Sequence, residues 1–194
     1  MRKLTHFIAT SVDGFIGDPD GSADFFNDWL DAEYRATIAA EYPETLPEPA
    51  RGLFGIPEDF EARHFDAVLM GRATYAPGLK AGMTSPYAHL DQYVVSRSLV
   101  TPPDPAVKLI SGDVVARVRE LKAEPGLGIW LCGGADLAGQ LVEEIDEFVV
   151  KTYPVFLGSG MPMSRAGFGL RELEQTGFMA CGGGQTITTY ARRR

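Results

Sequence analysis

The stretch Gly128-Ile129-Trp130-Leu131-Cys132-Gly133-Gly134-Ala135-Asp136-Leu137 decides the fold class. Its first half is a dense apolar run of the kind that suits a strand covered on both faces. Two glycines end the run. The apolar spacing then changes. Leu137, Leu141, Val142 and Ile145 mark one face of a helix that starts near Gly134. A buried strand passing through a glycine turn into a helix is the repeating unit of a parallel α/β sheet, with right-handed crossovers.

The same unit recurs on either side. Phe65-Asp66-Ala67-Val68-Leu69-Met70 ends at Gly71, and Gln92 to Ser96 and Val107 to Ile110 are two more short runs. Val114, Val115, Val118 and Leu121 mark a helix from Asp113. Residues 4–11 alternate and carry Phe, Ile and Thr, which predicts the first strand. After the turn Asp18-Pro19-Asp20-Gly21, Ser22 is a candidate cap. Phe25, Phe26, Trp29, Leu30 and Tyr34 predict one helix from about Ala23 to about Glu41. The segment from Tyr42 to Glu58 carries Pro43, Pro47, Pro49, Gly52, Gly55 and Pro57, which deny it a long helix or a central strand. It is expected to cover a site, to meet a second subunit, or to be a surface excursion. Glu147 to Tyr153 predicts a strand, and Pro154 to Gly160 a strand end running into a glycine loop. Leu170 to Ala180 and Gln185 to Arg192 predict a C-terminal antiparallel hairpin through Gly182-Gly183-Gly184. No stretch reads as a linker. The expectation is one α/β domain over residues 1–194, with a mostly parallel central sheet and flanking helices.

The chain has 194 residues, 45% of them apolar and 23% charged, which excludes an intrinsically disordered protein. Eighteen Lys and Arg against 26 Asp and Glu leave a net charge of −8. That balance argues against a general binder of nucleic acid or of anionic membranes, whose phosphate contacts need surplus cations. No apolar run approaches the roughly 20 residues of a membrane helix. The N-terminal run reads as a strand and not as a signal peptide, so a cytoplasmic protein is expected. The two cysteines, Cys132 and Cys181, make no disulfide framework, and reduced thiols are expected. His6, His64 and His89 show no metal-ligand spacing, so no metal is expected. No Gly-x-Ser-x-Gly elbow supports a hydrolase triad. His6 reads as a satisfied core group and Cys132 as a buried, inert thiol.

Chemistry concentrates at strand ends. Met70-Gly71-Arg72-Ala73-Thr74-Tyr75 and Leu131-Cys132-Gly133-Gly134-Ala135-Asp136 both leave a buried strand through glycine and enter a helix. Glycine permits close approach of a ligand to backbone, and a helix start offers free N–H groups to phosphate. Arg72 adds a guanidinium fork. Ser96-Arg97-Ser98 ends a third strand with hydroxyls and a second guanidinium. Each feature alone is equally an ordinary turn or a solvated charge. Two glycine junctions in one open sheet point to a dinucleotide at the carboxyl ends of the strands.

These residues resemble a known family. Thr10-Ser11-Val12-Asp13-Gly14-Phe15-Ile16-Gly17 resembles the first strand and loop of the dihydrofolate reductase fold. Met70 to Tyr75 resembles its Gly-Arg-x-Thr-aromatic segment, Val94 to Arg97 its strand-end Ser segment, and Ile129 to Gly134 its second glycine junction. Pro154-Val155-Phe156-Leu157-Gly158-Ser159-Gly160 is more specific, resembling the Pro-x-x-Leu-Gly-x-Gly segment of the branch that includes the C-terminal reductase domain of the bacterial riboflavin biosynthesis protein. Order and spacing agree over essentially the whole chain.

The resemblance implies an NADPH-dependent reductase of a small heterocycle: a pterin, a ribosylaminopyrimidine or a related compound. It implies that Ala9, Ile16 and Gly17 flank the nicotinamide. Gly71, Arg72 and Thr74 would hold the pyrophosphate and adenosine phosphate side, and Ser96 and Arg97 the adenosine phosphate. Gly133, Gly134, Ala135, Asp136 and Leu137 would wrap the pyrophosphate and ribose. NADPH is expected to be preferred over NADH through Arg72 and Arg97, partly buried and only partly eroded by salt. Asp24 and Asp28 are alternative candidates for the carboxylate that contacts substrate. Asp13 reads as a turn-bonding residue. Lys151, Arg165 and Lys80 are candidates for a substrate phosphate. A homodimer paired through the sheet region is expected. Three departures stand out: Ala135 replaces the third glycine of the family's triplet, Asp136 stands where an Arg often follows, and the Pro-Trp pair of the folate enzymes is missing. Asp136 would repel a phosphate placed directly over it. Folate is therefore not the expected substrate, and the rival reading is a non-catalytic nucleotide-binding or interaction module that kept the fold.

Overall fold

The dense apolar runs do form strands, and the computed structural model describes them within residues 1–193. In chain order the strands are β1 (Leu4–Thr10), β2 (Phe15–Gly17), β3 (Phe65–Gly71), β4 (Asp91–Val95), β5 (Val107–Ile110), β6 (Gly128–Gly133), β7 (Glu147–Thr152), β8 (Met161–Pro162), β9 (Leu173–Ala180) and β10 (Thr186–Arg192). The helices are α1 (Ala32–Glu41), α2 (Glu48–Phe54), α3 (Arg72–Lys80), α4 (Val114–Ala123) and α5 (Ala135–Gln140). Eight strands make one sheet in the order β5-β4-β3-β6-β1-β7-β10-β9. The pairings from β5 through to β7 are all parallel. The hairpin of β9 and β10 is antiparallel and joins through β10 to β7. The architecture is thus α/β, with a mostly parallel central sheet, flanking helices and a C-terminal antiparallel hairpin.

Strand alternation splits the core into two layers. Phe7, Val68, Met70, Trp130, Val149 and Ile187 face one side, under Tyr34 and Ile38 of α1. Ala67, Leu69, Ile129 and Leu131 face the other, under Val118 and Leu121 of α4 and Leu137, Ala138 and Leu141 in and after α5. Helix α4 begins at Asp113, whose carboxylate accepts from the N–H groups of Val115 and Ala116, a cap worth about 1 kcal/mol.

Three local expectations change. The single helix from Ala23 to Glu41 is two pieces, a 3-10 turn over Asp24–Trp29 and then α1. Asp31 causes the break: its side chain accepts from Tyr34 N at 2.9 Å and caps a new helix. The amide of Gln185, far along the chain, holds Trp29 O and Asp31 in place. The segment from Tyr42 to Glu58 is no surface excursion. It contains a 3-10 turn at Pro43–Thr45 and α2, which enters through Pro47 and Pro49 and closes at Gly55. Tyr42, Phe54 and Ile56 are buried against the sheet. Glu44 is fully buried, its Oε1 accepting from the N–H groups of His64 at 2.8 Å and Phe65 at 3.1 Å. Finally, Pro154 to Gly160 forms no strand end but an irregular loop that returns through β8 to pair with β2.

Candidate functional site

The carboxyl ends of β3, β4, β5 and β6 open into one cleft of about 490 Å³. Gly71, Arg72, Ser96, Arg97, Gly134, Ala135, Asp136 and Leu137 line it together. Residues up to 66 positions apart in sequence, Gly71 and Leu137, meet there because parallel strands deliver every junction to the same edge. Thr74 stands beside this group, its Oγ1 3.7 Å from where a Cβ on Gly134 would lie.

The cations of the cleft are exposed. Arg72 donates through Nη1 to Ser98 Oγ at 2.5 Å. Ser96 is buried, and its hydroxyl accepts from the N–H groups of Ser98 and Leu99 at 3.3 and 3.0 Å. Ser96 therefore shapes the loop that presents Arg97. Asp136 does not stand alone: Arg165 Nη1 lies 3.2 Å from each of its carboxylate oxygens. The repulsion expected from Asp136 is thus met by a cation brought from outside the glycine junction.

The inner end of the cleft is closed by the small sheet of β2 and β8. Gly17 pairs with Met161, and Met161 lines the cleft. Gly160, at φ +156°, packs so tightly that a Cβ would run into Gly17 O. Ile16 is buried, Ala9 packs against the core face of β1, and Gly133 follows Leu131 and Cys132 at the end of β6. The Gly133–Gly134 peptide is cis. Asp13 does more than bond its own turn. It accepts from Ser11 Oγ at 2.6 Å and from the N–H groups of Leu157 at 3.2 Å and Gly158 at 2.7 Å. These bonds hold the carboxyl of Asp13 below its usual range and tie the first loop to the glycine loop.

Away from the cleft, Asp24 and Asp28 are both exposed on the 3-10 turn. Lys80 is exposed at the end of α3, and Arg165 is taken by Asp136. Lys151 alone of the three phosphate candidates turns inward. Its Nζ lies 4.3 Å from the centroid of the Phe7 ring. Burial lowers its pKa to about 8, and raises that of the neighbouring Cys132 thiol to about 12. His6 is fully buried, with Nδ1 3.2 Å from Leu131 O and Nε2 3.4 Å from Met163 O, and burial lowers its pKa. Both cysteines are free.

The cleft suits a phosphorylated dinucleotide on three counts. Its backbone junctions carry no side chain at Gly71 and Gly134, Arg97 reaches it without an ion-pair partner among the described residues, and its acid is neutralised. Sequence reasoning missed Met161, which follows the glycine loop, and the bond from Arg72 to Ser98. No group of acidic, His and Cys side chains among the described residues is arranged to hold a metal, and no helix among them is long and apolar enough to cross a membrane.

Comparison with known proteins gives the family. The model of the RibD C-terminal domain matches residues 2–187. The chain is 34% identical over 164 residues to the uncharacterized protein YwjB of Bacillus subtilis (strain 168), covering 84% of this chain and 82% of that protein. A putative riboflavin biosynthesis protein from Shewanella sp. PV-4 superposes with a TM-score of 0.69 at 24% identity over the whole of both chains. The dihydrofolate reductase of Enterococcus faecalis, solved with NADP(H), superposes at 0.63 with 12% identity, covering 99% of this chain and 97% of that one. These two likenesses speak to fold alone. The chain belongs to the RibD C-terminal domain family, and it shares the fold of the dihydrofolate reductase-like structures.

Proposed function

We propose that the protein is an NADPH-dependent reductase of a small heterocyclic compound, a pterin, a ribosylaminopyrimidine or similar, working in the cytoplasm as a homodimer. One observation carries this reading: the two glycine junctions and the Ser96-Arg97 loop converge on a single cleft that Met161 of the β2–β8 sheet also lines. A bound reduced nicotinamide would supply the hydride. This chain would supply the rest. Arg97 and Arg72 would hold the adenosine phosphate, with Thr74 beside them. The backbone at Gly71 and from Gly133 to Leu137 would receive the pyrophosphate and ribose. Ala9, Ile16 and Gly17 would wall the nicotinamide, and Met161 would exclude water above it.

The second reading, a nucleotide-binding module without catalysis, draws on the exposure of Asp24 and Asp28. Either could contact substrate only from the rim. The test is a fluorescence titration with NADPH, followed by a screen of heterocycles for NADPH oxidation. Binding with turnover is the expected result. Binding without turnover across a broad screen favours the module, and no binding refutes both.

A further inference from the structure

We infer that Arg165, by pairing with Asp136 from outside the lining of the cleft, sets how tightly the cleft holds the two phosphates that NADP and NAD share, and that it does so without touching them. This role rests on the cofactor reading and gives a residue beyond the lining control over it. Asp136 is the one acid among the residues that line the cleft, and Arg165 is not among them. Arg165 Nη1 lies 3.2 Å from each carboxylate oxygen of Asp136. The order is therefore cation, acid, cleft. The charge that a ligand meets at this wall is that of the pair.

The fold fixes this order through backbone. Met163 N donates to Gly14 O at 3.1 Å, and Arg165 N donates to Ala135 O at 3.0 Å. Ser164 Oγ accepts from Ala166 N at 3.2 Å, which turns the segment. Gly139 lets it dock, since a Cβ there would lie 2.7 Å from Arg165 C. None of these contacts uses the guanidinium, so the charge can be removed while the segment stays in place. Both side chains of the pair are more than half exposed. Such a pair contributes little to folding, and its loss shows in binding instead.

The sign of the effect follows from the neighbours. A bared carboxylate beside a phosphate opposes binding, and a net charge of −8 does nothing to counter it. The cations of the lining, Arg72 and Arg97, stand at the ends of other strands, β3 and β4. Among the described residues, Arg165 is the ion-pair partner of Asp136. The cofactor reading puts the two shared phosphates at Gly133 to Leu137, beside Asp136. The effect of Arg165 must then fall equally on NADP+ and NAD+, unlike that of a cation that reads the 2′-phosphate.

Calorimetry of NADP+, NAD+ and inorganic pyrophosphate against wild type, Arg165→Gln, Asp136→Asn and the double variant tests this, at low and at physiological ionic strength. Arg165→Gln should weaken all three ligands by about 3- to 10-fold at low ionic strength, and by less once salt screens the bared acid. Asp136→Asn should tighten them by a similar factor, because it leaves Arg165 unopposed. The double variant should return close to wild type, and melting temperatures should stay close to wild type throughout. A double variant as weak as Arg165→Gln would overturn the inference, since Arg165 would then touch the ligand or hold the fold. Equal affinities of wild type and Arg165→Gln, or a loss confined to NADP+, would overturn it too. A wild type that binds pyrophosphate but neither dinucleotide would count against the cofactor reading, and the pyrophosphate measurements would still decide the role of Arg165. Binding of none of the three would overturn both.

Discussion

Replacing Arg97 by Ala tests how the cleft would tell NADPH from NADH. The 2′-phosphate carries nearly two negative charges, and a protein of net charge −8 gives no long-range help in holding it. The attraction must be local. Arg72 is already bonded to Ser98, so Arg97 is the cation free to turn to a new anion. A buried charge-assisted hydrogen bond is worth about 1.5–3 kcal/mol. An exposed ion pair is worth about 0.2–1 kcal/mol. Arg97 is exposed yet faces a near-dianion inside a cleft, which places its contribution at about 1–1.5 kcal/mol, or about 5- to 15-fold in affinity. Exposure also makes that contribution sensitive to salt, contrary to the partly buried pair expected from the sequence. Fluorescence titrations of both cofactors against wild type and Arg97→Ala, at low and physiological ionic strength, measure it. NADPH should weaken by the stated factor, NADH should stay nearly unchanged, and added salt should remove most of the difference. Equal losses for the two cofactors would show that Arg97 does not read the 2′-phosphate.

Gly134→Val should fold, since a Cβ there lies at an ordinary 3.7 Å from Met161 Sδ and Thr74 Oγ1, yet its branches would stand in the cleft. NADPH affinity should fall at least about tenfold, or about 1.4 kcal/mol, and unchanged affinity in the folded variant would remove this junction from the site. Gly160→Ala should cost about 2 kcal/mol or more, because both its φ and the Gly17 carbonyl forbid a side chain. A melting temperature lowered by several degrees is the readout, and an unchanged one would contradict the packing of β2 on β8. Burial lowers the pKa of His6 and His89 in the folded protein, so the unfolded chain binds protons first as pH falls. Stability should be full above about pH 6.5 and fall below it by up to about 1.4 kcal/mol per pH unit for each histidine, and urea midpoints that stay flat between about pH 7.5 and 5.5 would refute this.

The parts of this molecule legible in the sequence are those that depend on neighbours in the chain. Phe65 to Met70 and Ile129 to Cys132 are dense enough to be nothing but inner strands, and the glycines that follow them locate the edge of the sheet where the cleft lies. Parallel topology then brings Gly71, Ser96 and Gly134 together without further information. The break after Leu30 was not legible. The spacing of Phe25, Phe26, Trp29 and Tyr34 fits one helix, and the interruption depends on Asp31 turning to cap Tyr34 and on Gln185 reaching across from the C-terminal hairpin. In the segment from Tyr42 to Glu58, proline and glycine read as breakers act instead as the start and stop of a short helix. Lys151 was legible only by parity. It shares a strand face with Val149 and Tyr153, both buried, but a charge on a strand more often marks the solvent side.

The charge at the glycine junction shows how a local departure from a family pattern is absorbed by distant structure. Asp136 sits in the first turn of α5, where its carboxylate suits the helix but opposes an anion in the cleft. Arg165 answers it from 29 positions away. Two features place Arg165 there: its backbone N–H donates to Ala135 O at 3.0 Å, and the chain around it passes so close to Gly139 that a Cβ would lie 2.7 Å from Arg165 C. Gly139 therefore lets the segment dock on α5, and docking sets the guanidinium against the acid. Both side chains are more than half exposed, so the pair adds little to stability. Its consequence is electrostatic and confined to the cleft. With Asp136 neutralised, the lining residues that keep a free charge are Arg72 and Arg97, and an acidic protein presents a cationic mouth at the one edge of its sheet where the strands end in glycine.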